Sequence, residues 1–492
     1  MSLTRLLDQL DESRRRFDLA EAPRIASLFR KLADAKITDA AELIRLHELL
    51  LFIQAYPLNY EIDMMSDYLL AVIAERVPLL TDAYPLEEPD VSGIAGSGLT
   101  AVFSADLARD LIRRHAGALS IHWEAWEHPE RLALVLPALF PLCGDDLAVE
   151  ANVPFREWLE AVGGLAALSR CTAQQYDSLE MPLRWEFGSD PATRSLMRLF
   201  PNNTFYHQQP LITRREVSLD DIPASPRLPV RKLSKRRGSE IIAKARDTSA
   251  VRYRELHGFT YGDPSFVYEV DAGRGVLIHV WGVPPEKRLP LRVYHAAIIW
   301  KSGVPLGYFE GLSLFERMEA GFNLYYTFRD GETAWLYGRL LKTFHQLLGV
   351  TCFVLDPYQM GHHNEEAIQS GAFWFYRKLG FHSTDAALRE LTAREEKKIA
   401  ANPSYRVTAR TLRKLVRERM AYGFPGAPVG DWYGFETRRL GMTVARAGGW
   451  TRRQIRILGP FLEAKQAPEE VACLRIMQTQ SDLRAEILRL GK

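Results

Sequence analysis

The sequence predicts an α+β protein, with a helical N-terminal region, a mixed β-sheet flanked by helices in the second half, and a helical C-terminal region. Three observations carry this reading. Apolar residues recur at helical spacing through most of the first 200 residues, strand-like runs crowd the stretch from Val276 to Leu355, and helical patterning returns beyond about residue 385. At 492 residues, 47% of them hydrophobic, the chain has material for roughly two to four domains with real cores.

Leu6, Leu7 and Leu10 open a series of amphipathic helices. It continues with Ile25, Leu28, Phe29 and Leu32, then Leu43, Leu46, Leu50 and Ile53, then Tyr68, Leu69, Val72 and Ile73. Pro23 suits a first helical turn, Thr38-Asp39 can cap the third helix, and Tyr56-Pro57 and Val77-Pro78 end two of them. No fixed period with matching residues runs through the series, so a small bundle is expected rather than a repeat array. Gly93, Gly96 and Gly98 then mark an irregular connection. They have the glycine content of a phosphate-cradling loop, but no strand precedes them and no Lys-Ser/Thr follows. Helical patterns return from Ala105 to about Leu168, with His122, Trp123 and Trp126 expected in a core or interface.

Pro201, Pro210, Pro223, Pro226 and Pro229 break any helix, and Arg231-Lys232 with Lys235-Arg236-Arg237 adds a basic run, so residues 201–238 read as a solvated linker. The boundaries that follow are a helical region over 1–200, the linker, a mixed-sheet domain over 239–385 and a helical region over 386–492. Within the third segment a helix is expected from about Glu240 to Leu256. Strands are expected at Val276–Trp281, Val293–Trp300, Val304–Leu314 and Gly321–Phe328, with a turn at Lys301-Ser302-Gly303. A helix from Trp335 to Leu348 stops at Gly349, and Val350–Leu355 is a short buried strand.

Charge and cysteine usage exclude several classes. Lys plus Arg total 63 against 61 Asp plus Glu, so the net charge of +2 exerts no global pull on nucleic acid or an anionic membrane. Cys143, Cys171, Cys352 and Cys473 form no CxxC pair and read as buried thiols of a cytoplasmic protein, which makes the Asn202-Asn203-Thr204 sequon a chance match. No stretch approaches the roughly 18 apolar residues of a membrane span. Asp356, His362, His363, Glu365 and Glu366 have no metal-ligand spacing and read as a polar loop and helix cap.

The most informative segment runs from Asn364 to Phe381. Ala367, Ile368, Ala372, Phe375, Tyr376 and Leu379 share one helical face, and Gly380 can take the left-handed conformation that ends the helix before a strand. With the order of four strands, helix, strand and helix before it, this segment resembles the last core helix of the GNAT acyl-CoA N-acyltransferases. The resemblance spans about residues 240 to 385. It implies acetyl-CoA or another acyl-CoA as cosubstrate and a small-molecule or protein amine as acceptor.

The resemblance also implies roles for particular residues. Asn364 would face the pantetheine arm, and Tyr376 would be the general acid toward the departing thiolate, which a phenol that keeps its proton at neutral pH can serve. The fourth strand would part from the fifth and offer backbone groups to the pantetheine amides. The pyrophosphate cradle of the family, Gln/Arg-x-x-Gly-x-Gly/Ala, falls on Arg329-Asp330-Gly331-Glu332-Thr333-Ala334. Arg329 and Ala334 match it, and Gly331, Thr333 and the helix N-terminus complete the expected cofactor site. Glu332 stands where the pattern has its central glycine, and there it would repel a pyrophosphate. Glu319, with Glu310 second, is the expected base for the amine. The basic run at 231–237 would lie near CoA phosphates or an acidic partner. Two other readings stay open: a binding or scaffold protein on a degenerate GNAT fold, and an aminoacyl transferase of the peptidoglycan-bridge type, although the helical first half lacks the second GNAT domain of those enzymes.

Overall fold

The computed structural model describes residues 2–149, 154–199, 204–402 and 404–492. Pro201 and the asparagines of the Asn202-Asn203-Thr204 sequon lie outside the described residues, as does the side chain of Cys143. The chain divides into two compact units. The first comprises Met1–Phe200, Phe205–Gln209 and Ile242–Thr260; the second comprises Pro201–Thr204, Pro210–Ile241 and Tyr261–Lys492.

The first unit opens with the expected helices, α1 (Leu3–Ser13), α2 (Ala22–Ala33), α3 (Ala40–Ala55) and α4 (Tyr60–Ala71). Ser2, Asp39 and Asn59 cap three of them by accepting a backbone N–H at the third helical residue. Pro23 sits in the first turn of α2. The unit then departs from an all-helical reading. Strands β1 (Gly98–Val102), β2 (Leu119–Ile121) and β3 (Pro182–Glu186) form a small antiparallel sheet in the order β1-β3-β2. Helix α5 (Ala105–His115) and the short helices α6 (Leu136–Leu139), α7 (Phe155–Ala161), α8 (Leu165–Leu168) and α9 (Ala173–Ser178) lie between them. Strands of three to five residues carry too little alternation to be read from sequence. Trp126 is core, with its indole N–H donating to the Leu179 carbonyl at 3.0 Å. The three-strand sheet does not repeat the larger sheet of the second unit.

The second unit is organised on a nine-stranded mixed sheet, in the order β11-β12-β10-β9-β8-β7-β6-β5-β4. Its strands are β4 (Val230–Lys232), β5 (Val267–Gly273), β6 (Val276–Trp281), β7 (Val293–Lys301), β8 (Val304–Leu314), β9 (Arg317–Leu324), β10 (Cys352–Leu355), β11 (His382–Ser383) and β12 (Met420–Gly423). Strands β5 to β9 form an antiparallel meander of consecutive hairpins. Ser302 and Gly303, both at positive φ, make the tight β7–β8 turn where it was expected. Strand β9 pairs parallel with β10. Such a pair needs a crossover, and α12 (Thr333–Leu348) supplies it, ending at Gly349 with φ of 70°.

Several expectations need correction. Residues 210–233 are not a solvated linker. Leu219, Ile222, Leu228 and Leu233 are buried, β4 joins the sheet edge, and the buried Lys342 ammonium of α12 donates to the carbonyls of Ile222 at 3.0 Å and Ser225 at 2.7 Å. The prolines prevent helix but do not prevent packing. Of the basic run, Arg231 and Lys232 lie in β4, with Arg231 paired to Glu269, and Lys235 to Arg237 form the first turn of α10 (Lys235–Ala250), where Arg236 and Arg237 pair with Glu240. α10 is followed by the short α11 (His257–Thr260). Strand β5 was missed, and β9 runs from Arg317 to Leu324 rather than from Gly321 to Phe328. The region after residue 386 is not wholly helical, because its β12 inserts between β10 and β11. Its helices are α16 (Ala386–Ala401), α17 (Ala409–Leu415), α18 (Thr437–Arg446), α19 (Arg452–Ala464), α20 (Glu470–Gln478) and α21 (Ser481–Gly491).

The segment after β10 is three short helices, α13 (Pro357–Met360), α14 (Glu365–Gln369) and α15 (Ala372–Arg377), not one. Gly371 breaks the expected helix by taking φ of 73° between α14 and α15. Gly380, at φ of 105°, ends α15, and Phe381 donates its N–H back to the Tyr376 carbonyl at 3.2 Å. No helix among the described residues is long and apolar enough to cross a membrane.

Candidate functional site

The parallel pair β9–β10 is short and then ends. Cys352, Phe353 and Val354 lie opposite Arg317, Met318 and Glu319, and no pairing continues beyond Glu319. β9 itself runs on to Leu324, bonded on its other side to β8 through Gly307. The edge of Ala320–Leu324 that would face β10 therefore has no strand partner. Unpaired strand edges are strong backbone hydrogen-bonding surfaces.

The two faces of β9 differ. Phe322, with Phe309 of β8 opposite it, lies on the face covered by α12: Phe309 stacks on Phe344 with centroids 4.7 Å apart, and Phe322 meets Tyr337 at 5.4 Å. Alternation puts Glu319, Gly321 and Asn323 on the opposite face, with Glu310 of β8 directly across from Gly321. Glu319 and Glu310 are thus diagonal neighbours on one face. Arg317 reaches Glu319 at 3.3 Å and Arg292 approaches it at 3.7 Å, while the Tyr294 hydroxyl donates to Glu310. The Gln359 side chain of α13 lies over Gly321 on this face.

Tyr376 lies with α12, on the other face. Its ring is 4% exposed and sits among Tyr337 at 5.5 Å, Phe381 at 5.8 Å and Phe375 at 5.1 Å. Burial pushes the phenol pKa upward, so it holds its proton firmly. Tyr337, fully buried, has its pKa raised by burial as well, and its hydroxyl has no hydrogen-bond partner among the described residues. Tyr337 bridges Tyr376 to Phe322 and was missed by sequence reasoning; its place on the core-facing side of α12 looks like ordinary packing. The two expected proton-handling groups, Tyr376 and Glu319, therefore stand on opposite faces of the sheet. The unpaired gap between β9 and β10 is where a substrate could be reached from both.

At the junction after β9, the first-turn N–H groups of Thr333, Ala334 and Trp335 have no acceptor within α12. The Gly331 N–H is spent on the Phe328 carbonyl at 2.9 Å, so it does not point to a ligand as expected. The Thr333 hydroxyl donates to the Arg329 carbonyl at 3.1 Å, and Arg329 meets Glu366 at 2.5 Å in an exposed ion pair. Asn364 also departs from expectation: its side-chain oxygen accepts the Ala367 N–H at 3.1 Å and its amide donates to the Tyr358 carbonyl at 3.2 Å, so it caps α14.

Glu332 is not displayed at the helix terminus. Its carboxylate is 1% exposed, lies 2.6 Å from Arg274 and 3.3 Å from the Lys301 ammonium, and accepts the Ile212 N–H at 3.1 Å. Burial drives the Lys301 pKa down to about 7, with Glu332 opposing. The expected repulsion of an anion is thereby removed, because two cations face the carboxylate inside the protein.

The first unit contains a row that resembles a nucleophilic triad. Ser195 Oγ is 3.0 Å from His47 Nε2, and His47 Nδ1 is 3.3 Å from Glu48. The serine is 4% exposed and the histidine wholly buried, and Oγ accepts the Ala95 N–H at 3.0 Å. Oγ is engaged from two sides, by His47 of α3 and by the Ala95 N–H, and the row acts as a structural tie. It anchors the glycine loop at 93–98, whose Gly96 N–H is spent on the Gly188 carbonyl.

No family model, curated protein or solved structure matches this chain.

Proposed function

We propose that the second unit is an N-acyltransferase that takes an acyl group from acyl-CoA and passes it to an amine. The observation that carries this reading is the parting of β9 from β10 after Glu319, with the N-terminus of the crossover helix α12 following that free edge. A pantetheine arm has two amides able to pair with a strand edge, and a pyrophosphate suits the three first-turn N–H groups that have no acceptor within the 16-residue helix and no side-chain cap among the described residues. Arg329 is within reach of this turn; its exposed pair with Glu366 is worth about 1 kcal/mol or less, so exchange of that carboxylate for a phosphate costs little.

In the reaction the amine nitrogen attacks the thioester carbonyl, the C–N bond forms and the C–S bond breaks. Glu319 takes the amine proton, directly or through water, and Tyr376 gives its proton to the leaving thiolate. Arg317 and Arg292 flank the Glu319 carboxylate at 3.3 and 3.7 Å.

Thermal unfolding with increasing acetyl-CoA tests the reading. A ligand at a hundred times its Kd adds about 2.7 kcal/mol of stability to the state that binds it, so the transition moves upward. An unchanged transition at millimolar acetyl-CoA rejects the proposal.

A further inference from the structure

From Thr437 to Leu462 the chain carries six arginines and no lysine or acidic residue. Arg438 and Arg439 pair with Glu436. Arg446, Arg452, Arg453 and Arg456 are exposed and, among the described residues, pair with no carboxylate.

The same helices expose large apolar side chains between those arginines. On α18 the outer stripe reads Arg438, Met442 and Arg446, with Met442 50% exposed, while Leu440 faces the core. On α19 it reads Arg452, Ile455, Arg456 and Leu462, with Ile455 54% and Leu462 49% exposed, while Leu458 and Phe461 are buried. The five residues between the helices, Ala447 to Thr451, span at most about 20 Å and carry the partly buried Trp450 beside Gly448 and Gly449. Cations and isolated apolar groups thus share one outward stripe on each helix, joined by a loop that carries a tryptophan just before the cap of α19.

The geometry points to an anionic bilayer as the occupant of this surface, with arginines on lipid phosphates and Met442, Trp450, Ile455 and Leu462 entering the headgroup boundary. Charge selects a polyanion, and the aliphatic side chains decide which one. A nucleic-acid backbone offers nothing to Met442, Ile455 and Leu462, whereas the boundary between headgroups and acyl chains takes up such residues, and tryptophan favours that zone. Arginine binds phosphate bidentately, and each cation near an anionic leaflet strengthens binding severalfold. The surface lies apart in sequence from β9, β10 and α12, and this inference is independent of the acyltransferase reading.

Flotation of the full chain with phosphatidylcholine vesicles, with and without phosphatidylglycerol, tests it. Binding is expected only with the anionic lipid and is expected to fall with added salt. Replacing Arg446, Arg452, Arg453 and Arg456 by Gln should weaken it on the order of a hundredfold or more. Ile455→Ser with Leu462→Ser should weaken it at least about tenfold. Both variants change only exposed side chains, and far-ultraviolet dichroism checks that they fold. No flotation with anionic vesicles overturns the proposal. So does a loss confined to the arginine variant together with tighter binding of a short RNA duplex, which would mark a nucleic-acid surface instead.

Discussion

Glu332 and Arg274 meet at 2.6 Å inside the protein, at the point where the chain leaves β9 and enters α12. The pair ties the crossover helix to the β5–β6 turn, and Lys301 at the end of β7 completes it. Glu332→Gln keeps the shape and removes the charge, leaving Arg274 without its buried carboxylate partner. A loss of about 3 kcal/mol is expected, read from urea denaturation. A change below about 0.5 kcal/mol would mean that the pair does not hold the junction.

Gly307 fixes the spacing of β8 and β9. A Cβ there would lie 2.2 Å from the Asn323 carbonyl oxygen, which is backbone and cannot swing aside. Gly307→Ala is expected to cost at least about 2 kcal/mol. The neighbouring Gly321 has room, with its closest neighbour at 3.4 Å, so Gly321→Ala should be tolerated in folding. Thermal melts of the two variants side by side check the contrast.

How much of this was legible beforehand varies with the length of the signal. The ranges of β6 and β8 match the expected strands residue for residue, because β6 is an apolar run stopped by Gly282 and β8 starts directly after the Ser302-Gly303 turn. In β5 the shift between Asp271 and Gly273 interrupts the alternation that would have announced it. Met420–Gly423 owes its strand conformation to β10 and β11 on either side, a non-local cause no window can contain. The same limit applies to the site. Tyr376 and Glu319 were chosen by position, but that they stand on opposite faces of the sheet follows only from register. Glu332 looked like an exposed carboxylate at a helix start because Arg274 and Lys301 are distant in sequence.

In the first unit, His115 of α5 lies 2.9 Å from Asp190 and 3.2 Å from Asp247. Burial alone would lower its pKa, but the hydrogen bonds to the two carboxylates raise it to about 9. A group with a raised folded-state pKa stabilises the fold fully below its free value of about 6.5, and that contribution is lost as the pH rises through the folded value. Stability should therefore decline between about pH 6.5 and 9 by roughly 2 to 3 kcal/mol from this group. In His115→Gln that part of the pH dependence should vanish. An unchanged slope in the variant would show that other groups set it.

If Tyr376 delivers the proton to the leaving thiolate, Tyr376→Phe should lower kcat by about 10²-fold or more while acetyl-CoA binding stays within about twofold. The phenyl ring keeps the packing against Tyr337 and Phe381. Equal losses in binding and turnover would reduce Tyr376 to a packing residue.

The central claim is that the unpartnered edge of β9 and the first turn of α12 receive acyl-CoA, and hydrogen exchange with and without CoA measures this most directly. Peptides covering Ala320–Leu324 and Thr333–Trp335 should exchange more slowly with CoA bound, whereas β6, paired on both sides, should not change. CoA binding that leaves both segments unprotected, or no protection anywhere at millimolar CoA, would contradict the account.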